Sequence, residues 1–387
     1  MNTFVNKVLI VVFVVTYSSC QQPKNDLPCI DVRKNYLEKD IFLTDIADIS
    51  YLCLNSDNDD YLYGGGIAVI TESTVVVTDN RTVWFFNIDG TPKSRFNHLG
   101  NGPKEYRYIR NVFYDEAVDD VFVVDDSSIQ VYSYTGIHKR EIMLPQGVKR
   151  GAIVSFDHRS FFLYDASMEA KRSVTNEADL TDNDWAAPFY LISKANGDVL
   201  DHFTLPVTTH FLGIYWKGER ISGVPTRRLV KSPEGAMLCN AGTDTIFLYN
   251  HDKSLIPVLS KTPSVQSLNP MEYFDNCLEI GQYQYIKVIV ARAGDVYPGR
   301  FPAKYYVRNK KTGEVFFQKF LLPDYQDKEF IISHTTVGIY ENGCFIELDL
   351  SQLKQAYVQN KLSGKLKELV ATLKEDDNNV YVIAEFK

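Results

Sequence analysis

Short apolar runs alternate with polar turns along most of the chain, and one such unit recurs in register. Thr74-Val75-Val76-Val77-Thr78-Asp79, followed by Val83-Trp84-Phe85-Phe86-Asn87-Ile88-Asp89-Gly90, returns 46 residues later as Asp120-Val121-Phe122-Val123-Val124-Asp125 and Ile129-Gln130-Val131-Tyr132-Ser133-Tyr134-Thr135-Gly136. Each copy predicts strand, tight turn, strand, turn at Gly, strand, because Asp and Asn tolerate turn geometry and Gly supplies a positive φ without a Cβ clash. A further strand precedes each copy, Gly66 to Ile70 and Ile109 to Phe113, so the repeat has four short antiparallel strands, the unit of a propeller blade. Looser copies end in polar turns at Gly197, Asp252 and Gly313, and the five turns are spaced by 46, 61, 55 and 61 residues. A sixth blade is expected from Phe330 to Leu348, completed by Ile49 to Leu54 and Val380 to Phe386, because an open ring would leave edge strands and an inter-blade face exposed. The expected fold is therefore all-β: a six-bladed β-propeller of four-stranded antiparallel blades, closed by N- and C-terminal strands. Leu366, Leu369, Val370 and Leu373, with Ser363 as N-cap, add a short C-terminal helix on the outside of the last blade. The polar stretch from Ala166 to Asp184 is expected to be a long excursion between strands.

The N-terminus follows a different pattern. Lys7 precedes the apolar run Val8 to Val15, and Ser18-Ser19 precede Cys20. Eight apolar residues are too few for a span, which needs roughly 20, so the run reads as the core of a signal peptide. The small pair before Cys20 resembles a bacterial lipobox, although Tyr17 stands where an aliphatic residue is usual. The expected organisation is a lipoprotein signal peptide over 1–19, a lipid-anchored tether over 20–40, and the propeller over 41–387. Acylation of Cys20 by more than one chain would hold the protein stably on a membrane of the cell envelope, with the outer membrane as the expected location.

Composition removes several functions. Lys and Arg number 41 against 49 Asp and Glu, with no long basic block, which argues against a nucleic-acid partner. Beyond Cys20 the cysteines are Cys29, Cys53, Cys239, Cys277 and Cys344, far apart and without zinc-ligand spacing; Cys53, Cys239 and Cys344 read as small buried hydrophobes. Asp57-Asn58-Asp59-Asp60 is not an EF-hand loop, since Leu62 and Ala68 occupy its glycine and glutamate positions. His98, His210, His251 and His334 are isolated, and no G-x-S-x-G is present. No catalytic residue, metal ligand or cofactor is therefore expected.

The lipobox, Tyr51-Leu52-Cys53-Leu54 with its acidic loop, the loop Gly100-Asn101-Gly102-Pro103-Lys104-Glu105-Tyr106 and the stretch Glu375-Asp376-Asp377-Asn378-Asn379 together resemble the six-bladed β-propeller lipoproteins of gram-negative gut-type bacteria. These are distantly similar to NHL-repeat propellers. The family usually has Pro where this chain has Asn379. The resemblance implies the fold and an exported, anchored location; it supplies no reaction and no catalytic residue.

Two stretches are candidate ligand sites. The loop after the first blade presents Lys104, Glu105, Tyr106, Arg107 and Arg110, which near the channel mouth would grip a ligand through charge-assisted hydrogen bonds and an aromatic face; alternatively it is inter-blade turn chemistry. Tyr215 and Trp216, beside Lys217, suit stacking on a sugar ring or peptide, or equally blade packing. The leading expectation is a binding or scaffold propeller for a glycan, a peptide or an envelope protein. The rival is a metal-dependent propeller enzyme of lactonase or lyase type acting at the central channel; fold does not choose between them.

Overall fold

The structure, a computed structural model, describes residues 27–387 apart from 57, 175–178, 182, 184–186, 206, 208–213, 217–218, 223–228, 292–300, 334–335 and 341–342; for 172–174, 214–216 and 219–222 it describes the backbone alone. Six four-stranded antiparallel blades form a ring. From the inner to the outer strand, blade 1 is Gly66–Ile70, Thr74–Thr78, Val83–Asn87 and Pro92–Phe96, and blade 2 is Asn111–Asp115, Asp120–Val124, Ser128–Tyr132 and His138–Met143. Blade 3 is Arg150–Ser155, Ser160–Asp165, Ala187–Ser193 and Val199–Leu205, and blade 4 is Leu229–Ser232, Gly235–Leu238, Thr245–Asn250 and Leu255–Thr262. Blade 5 is Glu272–Ile280, Tyr283–Val290, Ala303–Asn309 and Val315–Leu322. Blade 6 takes Gly338–Tyr340 and Gly343–Leu348 from one part of the chain, Val380–Phe386 from its C-terminal end and Ala47–Cys53 from its N-terminal part.

The apolar pattern follows from this packing. Middle strands lie between two neighbouring blades, so both faces are covered, and Val75, Val76, Val77, Phe85 and Phe86 are all fully buried. Outer strands have a wet face and alternate, as Val315–Leu322 does. The core is a series of seams between blade faces. Leu52, Phe345 and Tyr381 of blade 6 meet Val75, Val77, Trp84 and Phe86 of blade 1, and Val76, Phe85 and Phe96 meet Val112, Val121 and Val123 of blade 2. Hairpin turns at Gly90, Gly136, Gly197 and Gly313 have positive φ values as the sequence predicts; in blade 4 that conformation falls on Lys253, one residue after Asp252. The inner strand of blade 2 begins at Asn111 rather than Ile109, whose N–H is taken by the Asn80 carbonyl at 3.1 Å.

The N-terminal boundary needs correcting. Cys29–Asp31 adds a parallel strand to the outer edge of blade 4, and Glu38–Phe42 does the same on blade 5. Ile30 and Val32 are buried in the common core of blades 4, 5 and 6, so the stretch from Cys29 to residue 40 is part of the propeller and not a tether. Two helices, not one, join the second and third strands of blade 6: Leu350–Val358 and Gly364–Thr372. Asp349 caps the first by accepting from the Gln352 N–H at 2.9 Å. Ser363 is the N-cap residue of the second but makes no side-chain cap bond. Leu353, Leu366 and Val370 pack into the core that holds Leu348, Val380 and Val382. The excursion in blade 3 opens with a helix, Ser167–Val174. Cys239, Cys277 and Cys344 are buried, Cys53 is half-buried and Cys29 is exposed.

Candidate functional site

In antiparallel four-stranded blades, the links from outer strand to next inner strand and from second to third strand share one face of the ring. The loop at residues 97–110 and the turns at 79–82 and 125–127 therefore lie together on this entry face. Aspartates shape the turns: Asp79 Oδ1 accepts from the N–H groups of Arg81 and Thr82 at 3.0 and 2.9 Å. Asp125 accepts from the Arg107 N–H at 3.0 Å, fixing the loop to the blade 2 turn.

Tyr106 is the loop's anchor and is fully buried, so it offers no aromatic face to a ligand, contrary to the sequence expectation. Its hydroxyl donates to the Arg81 carbonyl at 2.6 Å and accepts from the His98 N–H at 3.0 Å, while its ring joins the seam between blades 1 and 2. Glu105 turns back into the loop, accepting from the Gly102 N–H at 2.7 Å. A Cβ at Gly100 would lie 1.9 Å from Glu105 Oε2, so a larger residue there would displace this carboxylate from its position in the loop. Lys104 is exposed, and its carbonyl accepts from the Tyr132 hydroxyl at 2.8 Å. Two of the five expected residues, Glu105 and Tyr106, thus serve the turn with their side chains.

The two arginines face solvent. Arg107 and Arg110 keep 61% and 46% of their side chains exposed. Between them Tyr108, which sequence reasoning passed over, is 39% exposed, and the Arg110 guanidinium lies over its ring at 4.6 Å. Arg110 uses Nε to donate to Asp126 at 2.9 Å. That bond, with the Arg110 charge, holds the Asp126 carboxyl below the ordinary carboxylate range. Asp126 also lies 3.6 Å from Arg150, the first residue of the inner strand of blade 3. Burial pulls the pKa of the Arg150 guanidinium down, and its Nε has no hydrogen-bond partner. Arg150 was not legible as a site residue, since 40 residues separate it from Arg110 and only the blade repeat brings both to the rim.

Tyr215 and Trp216 lie in a two-stranded hairpin, Ile214–Trp216 with Glu219–Ser222, inside the link from blade 3 to blade 4. Tyr215 pairs with Arg220 and Trp216 with Glu219 along the backbone; Lys217, His210 and Cys20 lie outside the described residues. Among the described residues no three His, Cys, Asp or Glu side chains come together to hold a metal ion.

The fold is shared with solved structures. A Bacteroides fragilis protein designated as exported is 14% identical, with 93% of this chain and 99% of that one covered at a TM-score of 0.61. A Bacteroides vulgatus member of the DUF4221 family is 12% identical, covering 88% and 97% at a TM-score of 0.50. At these identities the likeness is one of fold. No curated protein matches the chain. The model of the family described as a domain of unknown function, DUF4934, matches residues 27–385, from just before the strand Cys29–Asp31 into the strand Val380–Phe386, and the chain belongs to that family.

Proposed function

We propose that the chain is an exported, lipid-anchored binding propeller whose entry face holds a carboxylate-bearing partner, a peptide segment or an acidic glycan. The observation that carries this reading is the pose of Arg110. Its Nε is committed to Asp126 and its plane rests on Tyr108, while neither terminal nitrogen has a partner among the described residues. A guanidinium fixed in this way presents a fork that suits bidentate carboxylate binding, at little further cost in side-chain entropy. Arg107 stands beside it on a loop pinned by buried Tyr106, and arginine and tyrosine on a rigid support are the residue types that dominate binding energy at interfaces. The test is fluorescence anisotropy with a labelled glutamate-rich peptide, its glutamine counterpart, and acidic and neutral oligosaccharides. Binding of acidic probes should fall about tenfold or more in Arg107→Ala/Arg110→Ala, with an unchanged melting temperature. Equal binding of glutamate and glutamine probes would overturn the reading.

Export and anchoring rest on the N-terminal pattern at Val8 to Cys20. No helix among the described residues is long and apolar enough to cross a membrane. Labelled fatty acid should be incorporated in the native host and lost in Cys20→Ala, with the protein moving to the soluble fraction. Unlabelled, soluble wild-type protein would end this part of the proposal.

A further inference from the structure

On the opposite face of the ring, blades 6 and 1 do not close fully against each other. They leave a cavity of about 300 Å³ lined by residues that include Ser50, Leu52, Ile70, Ile88, Tyr340 and Ile383, with Glu72 and Glu385 also in its wall. Its floor is the apolar seam of Leu52, Ile70 and Ile383. Glu72 sits in the turn after the inner strand of blade 1, and Glu385 near the end of the strand that completes blade 6, so the two carboxylates come from different blades. Both are exposed, and neither side-chain carboxylate makes a hydrogen bond or ion pair with another described residue. Most other carboxylates in these blades are engaged. Asp60 pairs with Arg95, Asp48 with Lys387, and Glu347 accepts from Asn379, while Glu116 of the neighbouring blade 2 accepts from Ser73 and Thr74.

We infer that this cavity is a second binding site, separate from the entry-face arginines, and that its ligand is an alkylammonium: a primary amine on an unbranched aliphatic chain. The aliphatic walls take up the methylenes, and the carboxylates from the two blades supply the counter-charge. Tyr340 adds an aromatic side chain, a residue type that favours cations, to the lining. Neutral alcohols lack the charge, and carboxylic acids would meet repulsion. The amine comes either from a free aliphatic diamine or from a lysine side chain of a polypeptide, and the two present the same chemistry to the cavity.

The test is calorimetric titration of the full-length protein with 1,5-diaminopentane, with N-acetyl-lysine methylamide and with pentane-1,5-diol. Saturable binding of at least one amine is expected, with the diol at least tenfold weaker. Tighter binding of the diamine would assign a free diamine as the source, and tighter binding of the lysine derivative a polypeptide. Glu72→Gln and Glu385→Gln, both at exposed positions, should each weaken amine binding by about fivefold with an unchanged melting temperature. As a second variant, Ile88→Lys places an ammonium at the cavity wall and should abolish amine binding. Absence of binding by either amine, equal binding of the diol, or amine binding that survives both glutamine variants would overturn the inference. None of these outcomes bears on the arginine rim, since Arg107 and Arg110 are not altered.

Discussion

A chain lacking Val380–Lys387 is expected to lose cooperative unfolding and to aggregate at temperatures where the full chain is folded. Val380–Phe386 is paired on both edges, with Gly343–Leu348 on one side and Ala47–Cys53 on the other. Its removal leaves two edges open in one blade. It also takes away Val380, Tyr381, Val382 and Ala384, all fully buried. Burial of each large apolar side chain is worth about 1.5–3 kcal/mol, so three of them already approach the ~5–15 kcal/mol by which a domain is stable. Val382→Asp makes the same point without truncation, because it places an uncompensated charge in the core shared by blades 4, 5 and 6. Circular dichroism melts and light scattering read both variants. A truncated chain that melts where the full chain does would show that the ring closes by some other contact.

The second large effect is a pH dependence set by one buried amine. Lys194, in the outer hairpin turn of blade 3, is only 6% exposed. Its Nζ donates to Ser155 Oγ at 2.8 Å and lies 5.4 and 5.0 Å from the Phe122 and Phe161 ring centroids. No carboxylate among the described residues lies within ion-pair distance. Burial brings its pKa down from an ordinary 10.5 to about 8. Below pH 8 both folded and unfolded chains hold the proton and the full cost of burying the charge is present. Between pH 8 and 10.5 the folded chain has released the proton and the unfolded chain has not, so stability rises with pH through this window. Above 10.5 the cost is gone. The depression corresponds to about 3 kcal/mol. Lys194→Met is therefore expected to be more stable than wild type by that order at pH 7, with the advantage shrinking by pH 10, as measured by urea unfolding at both values. An advantage equal at the two pH values would show that Lys194 is solvated.

How much of this the sequence discloses depends on where each segment's partners lie. Blades 1 and 2 are legible because their middle strands are apolar on both faces and their turns repeat at 46 residues. The parallel strands Cys29–Asp31 and Glu38–Phe42 are not: they are three and five residues long, and each is held by one edge of a strand far along the chain. Nothing local distinguishes them from a polar linker. The helix Leu350–Val358 did leave a signal, with Asp349 as cap and Leu350, Leu353 and Tyr357 on one helical face. In the loop at residues 100–110, composition indicated an unusual backbone but not which side chain turns inward. Tyr106 and Tyr108 are two residues apart in a charged stretch, and only contact with Arg81 and His98 separates anchor from exposed surface.

The three N-terminal strands also impose an order of events on synthesis. Cys29–Asp31, Glu38–Phe42 and Ala47–Cys53 leave the ribosome first, yet their partners lie more than 200 residues downstream, and for Ala47–Cys53 more than 300. Blades 1, 2 and 3 draw all their strands from their own stretches of chain and can form while that leading segment has nothing to pair with. Blades 4 and 5 then acquire their outermost strands from a segment made long before, and blade 6 is assembled from both ends last. Closure of the ring is therefore the last event of synthesis, since the three early strands stay without their partners until the strands of blades 4, 5 and 6 have been made.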